Sequence, residues 1–188
     1  MFRNVHACVT AQRQDKAIYG HEYIIGVDLG KLNDFSVFAV FDTTLNACVY
    51  LDRQNQIDYT LQLARLEALA RRFNARNVII ERNIGEMFIE QAQRAGLPVT
   101  PFQTTAASKQ KLIDDLAMAF ERQQIAILAE PVLLAELQAF GMARTAAGNL
   151  RYSAPDGLHD DTVIALALAW HGVQSGIQTQ PFTLDISW

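Results

Sequence analysis

The stretch Tyr23-Ile24-Ile25-Gly26-Val27-Asp28-Leu29 decides how this chain is read. It is apolar and partly β-branched, as a strand covered on both faces is. Yet it carries a carboxylate, and a carboxylate embedded in a core strand is costly unless something compensates it. Working outward, other acidic residues share that placement. Glu81 ends the apolar run Val78-Ile79-Ile80-Glu81. Asp160 and Asp161 open the apolar, helix-like stretch that runs from His159 to Trp170. Carboxylates gathered from separate elements are most simply compensated by a divalent cation.

The rest of the composition is that of an ordinary globular domain. A chain of 188 residues fits one domain with a sizeable core. Half its residues are apolar and 19% are charged, which excludes a disordered chain. No apolar run reaches the length of a bilayer span, and the first 20 residues lack an uninterrupted apolar core, so a non-exported protein without a membrane partner is expected. Cys8 and Cys48 are too few and too isolated for a disulfide framework or a zinc site. They read as reduced thiols. The net charge of −4 argues against a strong autonomous DNA binder held by electrostatics alone. It leaves room for an enzyme whose local field comes from bound metal ions.

Residues 1–20 are polar and aperiodic and read as an extension or linker, residues 21–175 as one domain, and 176–188 as a polar tail. Within the domain, a strand from Glu22 to Leu29 leads through the turn-rich 30–34 segment to a second strand, Phe35 to Phe41, and then to a third near Ala47 to Asp52. Strands joined this tightly should be antiparallel neighbours. Asp58 is a helix cap, after which Leu63, Leu66, Ala70 and Phe73 share one face at helical spacing. Val78 to Glu81 reads as a central strand, and Ile84 to Ala95 as a helix ended by Gly96 and Pro98. Val99 to Phe102 is a fifth strand. Leu112, Ile113, Leu116 and Phe120 form the buried stripe of the next helix, and Ile125 to Leu128 is a short apolar segment. Pro131 suits the first turn of a helix reaching Phe140. Arg144 to Ser153 reads as a hairpin turning at Ala147-Gly148-Asn149. The last helix, His159 to Val173, is apolar nearly all round and should be buried. This order predicts an α/β domain: a mixed central sheet, made of a three-strand antiparallel meander plus parallel strands, flanked by helices.

In that architecture the strands carrying Asp28 and Glu81 are adjacent. Consecutive helical residues point about 100° apart, so one of Asp160 and Asp161 faces the cluster fully and the other either supports the ligands from behind or binds a second metal. Oxygen-only ligands suit Mg²⁺ or Mn²⁺. A two-metal phosphodiesterase holds its ions ~3.5–4 Å apart. Each residue also has an ordinary reading. Asp160 and Asp161 could cap a helix and complement its dipole, Asp28 could pair with a core cation, and Glu81 could be an exposed strand end. Their matching element positions favour the metal reading.

Four segments carry a resemblance: IIGVDLGKLNDFSVFAVFD (24–42), VIIERNIGEMFIEQAQRAG (78–96), SKQKLIDDLAMAFERQQIAIL (108–128) and RYSAPDGLHDDTVIALALAW (151–170). Over roughly residues 22 to 173 the chain resembles the C-terminal nuclease domain of the large terminase subunit of tailed bacteriophages. The resemblance implies an RNase H-like fold and metal-dependent cleavage of double-stranded viral DNA concatemers during packaging, in the cytoplasm of the bacterial host. It implies that Asp28, Glu81, Asp160 and Asp161 are catalytic metal ligands for Mg²⁺ or Mn²⁺, with two ions. The partners it implies are double-stranded DNA, an ATPase motor domain, the small terminase subunit and the portal protein.

Weaker candidates surround these. Asp34 stands where such domains are often acidic, but Asp is also a common turn residue. Lys109 and Lys111 are candidates for phosphate contacts, although helix lysines usually sit in water. His159 is a candidate to orient a ligand or a water, although a histidine at a helix start is as often incidental. Arg82 and Asn83, beside Glu81, and Arg144 and Arg151, on the hairpin, are candidates for the DNA backbone.

No GxxxxGK[ST] phosphate loop occurs in the sequence, so ATP-driven translocation is not expected of these residues. An excised domain or a stand-alone relative would both fit. Other readings remain: a Holliday-junction resolvase with similar carboxylates, and a non-catalytic packaging module. Ile25-Gly26-Val27-Asp28-Leu29-Gly30 also resembles the first phosphate motif of actin-like ATPases, but no second glycine-rich phosphate turn accompanies it.

Overall fold

The computed structural model describes residues 1–30, 35–144, 150–153 and 159–176. Asp34, the turn at 147–149, the side chains of Arg144 and Arg151, and most of the expected tail lie outside the described residues.

Short turns and long crossovers set the sheet. β1 (Tyr23–Asp28), β2 (Ser36–Asp42) and β3 (Ala47–Gln54) form the antiparallel meander, with Asp28 opposite Val37 and Val37 opposite Arg53. The chain then crosses over through α1 (Tyr59–Phe73), so β4 (Asn77–Glu81) returns parallel to β1. α2 (Arg82–Arg94) carries it back to β5 (Val99–Phe102), parallel to β4. The strand order β3-β2-β1-β4-β5 puts β1 at the centre. α3 (Ala106–Glu121), α4 (Pro131–Ala139), the hairpin β6 (Gly141–Arg144) and β7 (Leu150–Ser153), and α5 (Asp161–Ser175) complete the chain.

The period-2 alternation of a strand divides the core in two. Ile25, Val27 and Leu29 pack with Val78 and Ile80 beneath α1 and α2. Ile24 and Ile79 face the other way, into a core built with α3, α4 and α5. Local signals start the helices. The Asp58 carboxylate accepts from the Leu61 amide at 2.8 Å, and Thr105 and Ser108 form a reciprocal capping box at α3.

Gly26 explains how α5 lies across the sheet. A Cβ on residue 26 would stand 2.0 Å from the Ala165 carbonyl oxygen and 2.4 Å from the Ala169 nitrogen. Both are backbone atoms of α5, so only glycine admits the helix. The glycine of the Ile-Gly-Val-Asp stretch therefore serves helix packing.

Residues 1–20, expected to be an extension or linker, dock on this body. Val5 and Cys8 of a 3₁₀ turn are buried. The Ala11 amide donates to the Ile127 carbonyl at 3.1 Å, and Ile127 donates back to Cys8 at 2.8 Å. The fully buried Asp42 accepts from Gln14 Nε2 at 3.0 Å and from the amides of Thr44 and Leu45, with His21 Nδ1 2.7 Å away. Both cysteines are free and buried, and burial pushes the Cys48 thiol up to about 12. Among the described residues no helix is long and apolar enough to cross a membrane.

Candidate active site

Register brings the first two carboxylates together. Val27 pairs with Ile80 in the parallel β1–β4 ladder, so Asp28 and Glu81 leave neighbouring strands one residue further on. By alternation both point to the face covered by α5. The close approach at Gly26 sets the start of α5, with Asp160 and Asp161, over the same spot. The outcome is a cavity of about 350 Å³ whose lining includes Asp28, Glu81, Asp160, Asp161, Lys109 and Thr104.

The electrostatics follow from that crowding. Desolvation pushes the Asp28 carboxyl well above the usual carboxylate range, and Asp161, Glu81 and Asp160 push it further, while Lys109 opposes them. Asp161 is pushed up to about 6, first by burial and then by Glu136; the nearby His159 and Arg53 work against the shift. Lys109 Nζ lies 3.9 Å from Asp160 Oδ2. His159 Nδ1 lies 3.5 Å from Asp161 Oδ2, an oxygen that is buried and accepts no hydrogen bond.

Among the described residues no three His, Cys, Asp or Glu side chains are poised to hold one ion as they stand. The donor chemistry does fit a divalent cation: four carboxylates line one cavity, and Asp28 is held toward its protonated form by desolvation and then by its acidic neighbours. Hard cations take such oxygen ligands.

The weaker candidates divide. Lys109 lines the cavity. Lys111 instead pairs with Asp115 at 2.7 Å along α3. Asn83 is engaged internally, donating to the Thr104 carbonyl and accepting from Gln103 Nε2, each at 2.6 Å. It ties the start of α2 to the loop before α3. Arg82 is exposed beside Glu81. His159 packs edge-on against Phe35, with ring centroids 5.3 Å apart.

Sequence reasoning missed two residues. Glu136 is only 6% exposed and bonds to the start of α5. The signal was a lone charge inside the apolar run Val132-Leu133-Leu134-Ala135-Glu136-Leu137. Arg53 lies in the same row of the sheet as Val37 and Asp28, and its guanidinium stands 3.2 Å over the Phe35 ring. Its Nε is buried without a hydrogen-bond partner.

The comparisons with known proteins now bear on this geometry. Residues 25–171 match the family model described as the terminase RNaseH-like domain. This chain belongs to that family. The terminase large subunit of Thermus virus P23-45 is 38% identical over 152 residues, which is 80% of this chain but 31% of that protein's length. The corresponding protein of Thermus phage G20c is 37% identical over the same extent. The crystal structure of the large terminase nuclease from thermophilic phage G20c superposes with a TM-score of 0.85 at 31% identity, covering 90% of this chain and 96% of that one. The same nuclease has been solved with bound magnesium, at a TM-score of 0.84, and with bound cobalt, at 0.83. The large terminase of bacteriophage HK97, at 15% identity and a TM-score of 0.67, supports the fold alone. The terminase domain described here thus has the RNase H-like fold, with the mixed five-stranded sheet and flanking helices that its sequence predicts.

Proposed function

We propose that this terminase domain is a metal-dependent endonuclease that hydrolyses phosphodiester bonds of double-stranded DNA concatemers during genome packaging. The observation that carries the reading is the convergence of Asp28 from β1, Glu81 from β4, and Asp160 and Asp161 from the start of α5 on one cavity. Residues 21–175 form the nuclease domain. Asp28, Glu81 and Asp160 would hold Mg²⁺ or Mn²⁺, and Asp161 would add a ligand; four carboxylates suit two ions. The bound cations would supply Lewis-acid activation of water and charge neutralisation at the scissile phosphate.

The chain's own groups do the rest. Asp28, held toward its protonated form by desolvation and then by its acidic neighbours, would release that proton to solvent on binding a cation. Lys109 offers an ammonium within the cavity to a phosphate oxygen, and Arg53 offers a guanidinium steadied on Phe35. Such contacts hold the backbone without reading bases, so cleavage should be weakly sequence-specific. The relatives are about three times as long as the matched segment. An ATPase motor domain, the small terminase subunit and the portal protein are therefore the proposed partners, and the host cytoplasm the proposed setting.

The test is incubation of supercoiled plasmid with the protein in Mn²⁺, in EDTA, and with an Asp28→Asn variant. Nicking and linearisation that need the metal and vanish in the variant support the reading. Cleavage that persists in EDTA, or in the variant, overturns the assigned site.

A further inference from the structure

Asp160 occupies the N-cap of α5. From that position an Asp carboxylate ordinarily turns back to accept an amide of the first turn. Here it makes no such bond. The Thr162 amide donates instead to Glu136 Oε2 at 2.8 Å, and the Thr162 hydroxyl donates to the same oxygen. Glu136 arrives from α4, 26 residues earlier in the chain. Thr162 is 1% exposed, so water cannot replace this acceptor. The second Glu136 oxygen is buried with no partner. Burying a carboxylate in an apolar helix is costly unless it is paired or hydrogen-bonded, and here only one of its oxygens is.

We propose that Glu136 is a positioning residue for the carboxylate cleft: by capping α5 from a neighbouring helix, it releases Asp160 to face the cavity and so sets the affinity for a divalent cation. This rests on the reading of the cleft as a metal centre. Without Glu136, the orphaned Thr162 amide stands two residues past the N-cap, where an N-cap carboxylate ordinarily accepts. The N-cap preference then draws that carboxylate back onto the helix and out of the cleft. The groups facing this contact are Thr162 of α5, the carboxylates of Asp160 and Asp161, and Glu136 of α4; Lys109 and His159 stand beyond, against the two aspartates.

The experiment compares wild type with Glu136→Gln, Glu136→Asp and Glu136→Ala by calorimetric Mn²⁺ titration. Melting temperature and Thr162 amide hydrogen exchange are measured in EDTA alongside. Gln keeps an acceptor oxygen at the same reach, so its Mn²⁺ affinity should stay within a few-fold of wild type and the Thr162 amide should stay protected. Asp keeps the charge but shortens the reach. Asp and Ala should each lose about tenfold or more in affinity, as supporting residues of metal sites do, and should lose protection at Thr162. If Ala does not fold, the Gln and Asp pair decides. Unchanged affinity in folded Asp and Ala variants, with only the melting temperature lowered, overturns the proposal and leaves Glu136 a packing residue. Loss in Gln with affinity kept in Asp also overturns it, because charge rather than the cap would then matter. A wild type that binds no Mn²⁺ would instead sink the metal-centre reading, while the exchange data would still report on the cap.

Discussion

Asp28 shows how much one residue can disclose. Its pKa is raised in the fold, by desolvation and by three acidic neighbours. The native state therefore binds its proton more tightly than the unfolded chain does. A group of that kind contributes stability at low pH, where both states are protonated, and loses it as pH rises through the folded value. Asp161, pushed up to about 6, behaves the same way. Metal-free protein should thus weaken as pH rises from about 4 through 6 and beyond; the two-unit shift of Asp161 alone is worth at most about 3 kcal/mol before solvent screening. Asp28→Asn should remove its part of that slope. In EDTA at pH 7.5 we expect the variant to be as stable as wild type or more so, while DNA cleavage is abolished. Urea denaturation at pH 5 and 7.5 reads this directly, and strong destabilisation at pH 7.5 would mean that Asp28 belongs to a structural ion pair. The four cleft carboxylates were legible in the sequence because each interrupts or borders an apolar run, where a charge is conspicuous. Glu136 was conspicuous too, but its partner comes from a different helix. Nothing local distinguishes Lys109, which reaches the cavity, from Lys111, which turns to Asp115.

Among the elements, β1 and α5 form the pair on which the cleft depends. Gly26→Ala places a methyl against the Ala165 carbonyl and the Ala169 nitrogen, and backbone on both sides leaves little room to yield. Overpacking of this kind costs about 1–3 kcal/mol or more. The helix must also lift from the strand, moving Asp160 and Asp161 away from Asp28. We expect a lower urea midpoint and weaker Mn²⁺ binding together in this variant. A stable variant with unchanged Mn²⁺ affinity would show that the carboxylates do not depend on this contact. The strands and helices were readable because their apolar periodicity is strong: β1 and β4 are continuous apolar runs, and the stripe on α3 is regular. The docking of residues 1–20 was not readable. Val5, Cys8 and Ala11 follow no period, and the segment's amides donate to partners remote in sequence: Ala11 to Ile127, Gln14 to Val49 and Ala17 to Arg72. Helix starts also moved, since α2 begins directly at Arg82 and α5 at Asp161. An Asp pair cannot announce which member is the cap when Glu136 supplies the bond.

At the scale of the whole molecule, the chain carries 20 acidic and 16 basic side chains. Attraction for DNA must therefore be local rather than global. Arg53 and Lys109, both within electrostatic reach of the cleft carboxylates, are where that attraction is expected. Arg53→Gln should weaken duplex binding in Ca²⁺ and lower the slope of log affinity against log salt by about one. An unchanged slope would limit Arg53 to its contact with Phe35. The cations themselves act on the fold as a whole. A ligand that binds only the native state stabilises it by RT ln(1 + [L]/Kd), about 2.7 kcal/mol at a hundredfold excess over Kd. For a chain of this size that is a rise in Tm of roughly 5–10 °C. Mn²⁺ must displace protons from Asp28 and Asp161 to bind, so its effect should be larger at pH 7.5 than at pH 5. Thermal melts at both pH values, with millimolar Mn²⁺ and with EDTA, check the size and the sign. A Tm indifferent to Mn²⁺ at pH 7.5 would mean that the four carboxylates do not form a site in the folded domain alone. A rise that is larger at pH 5 would mean that the ion binds somewhere other than this cleft.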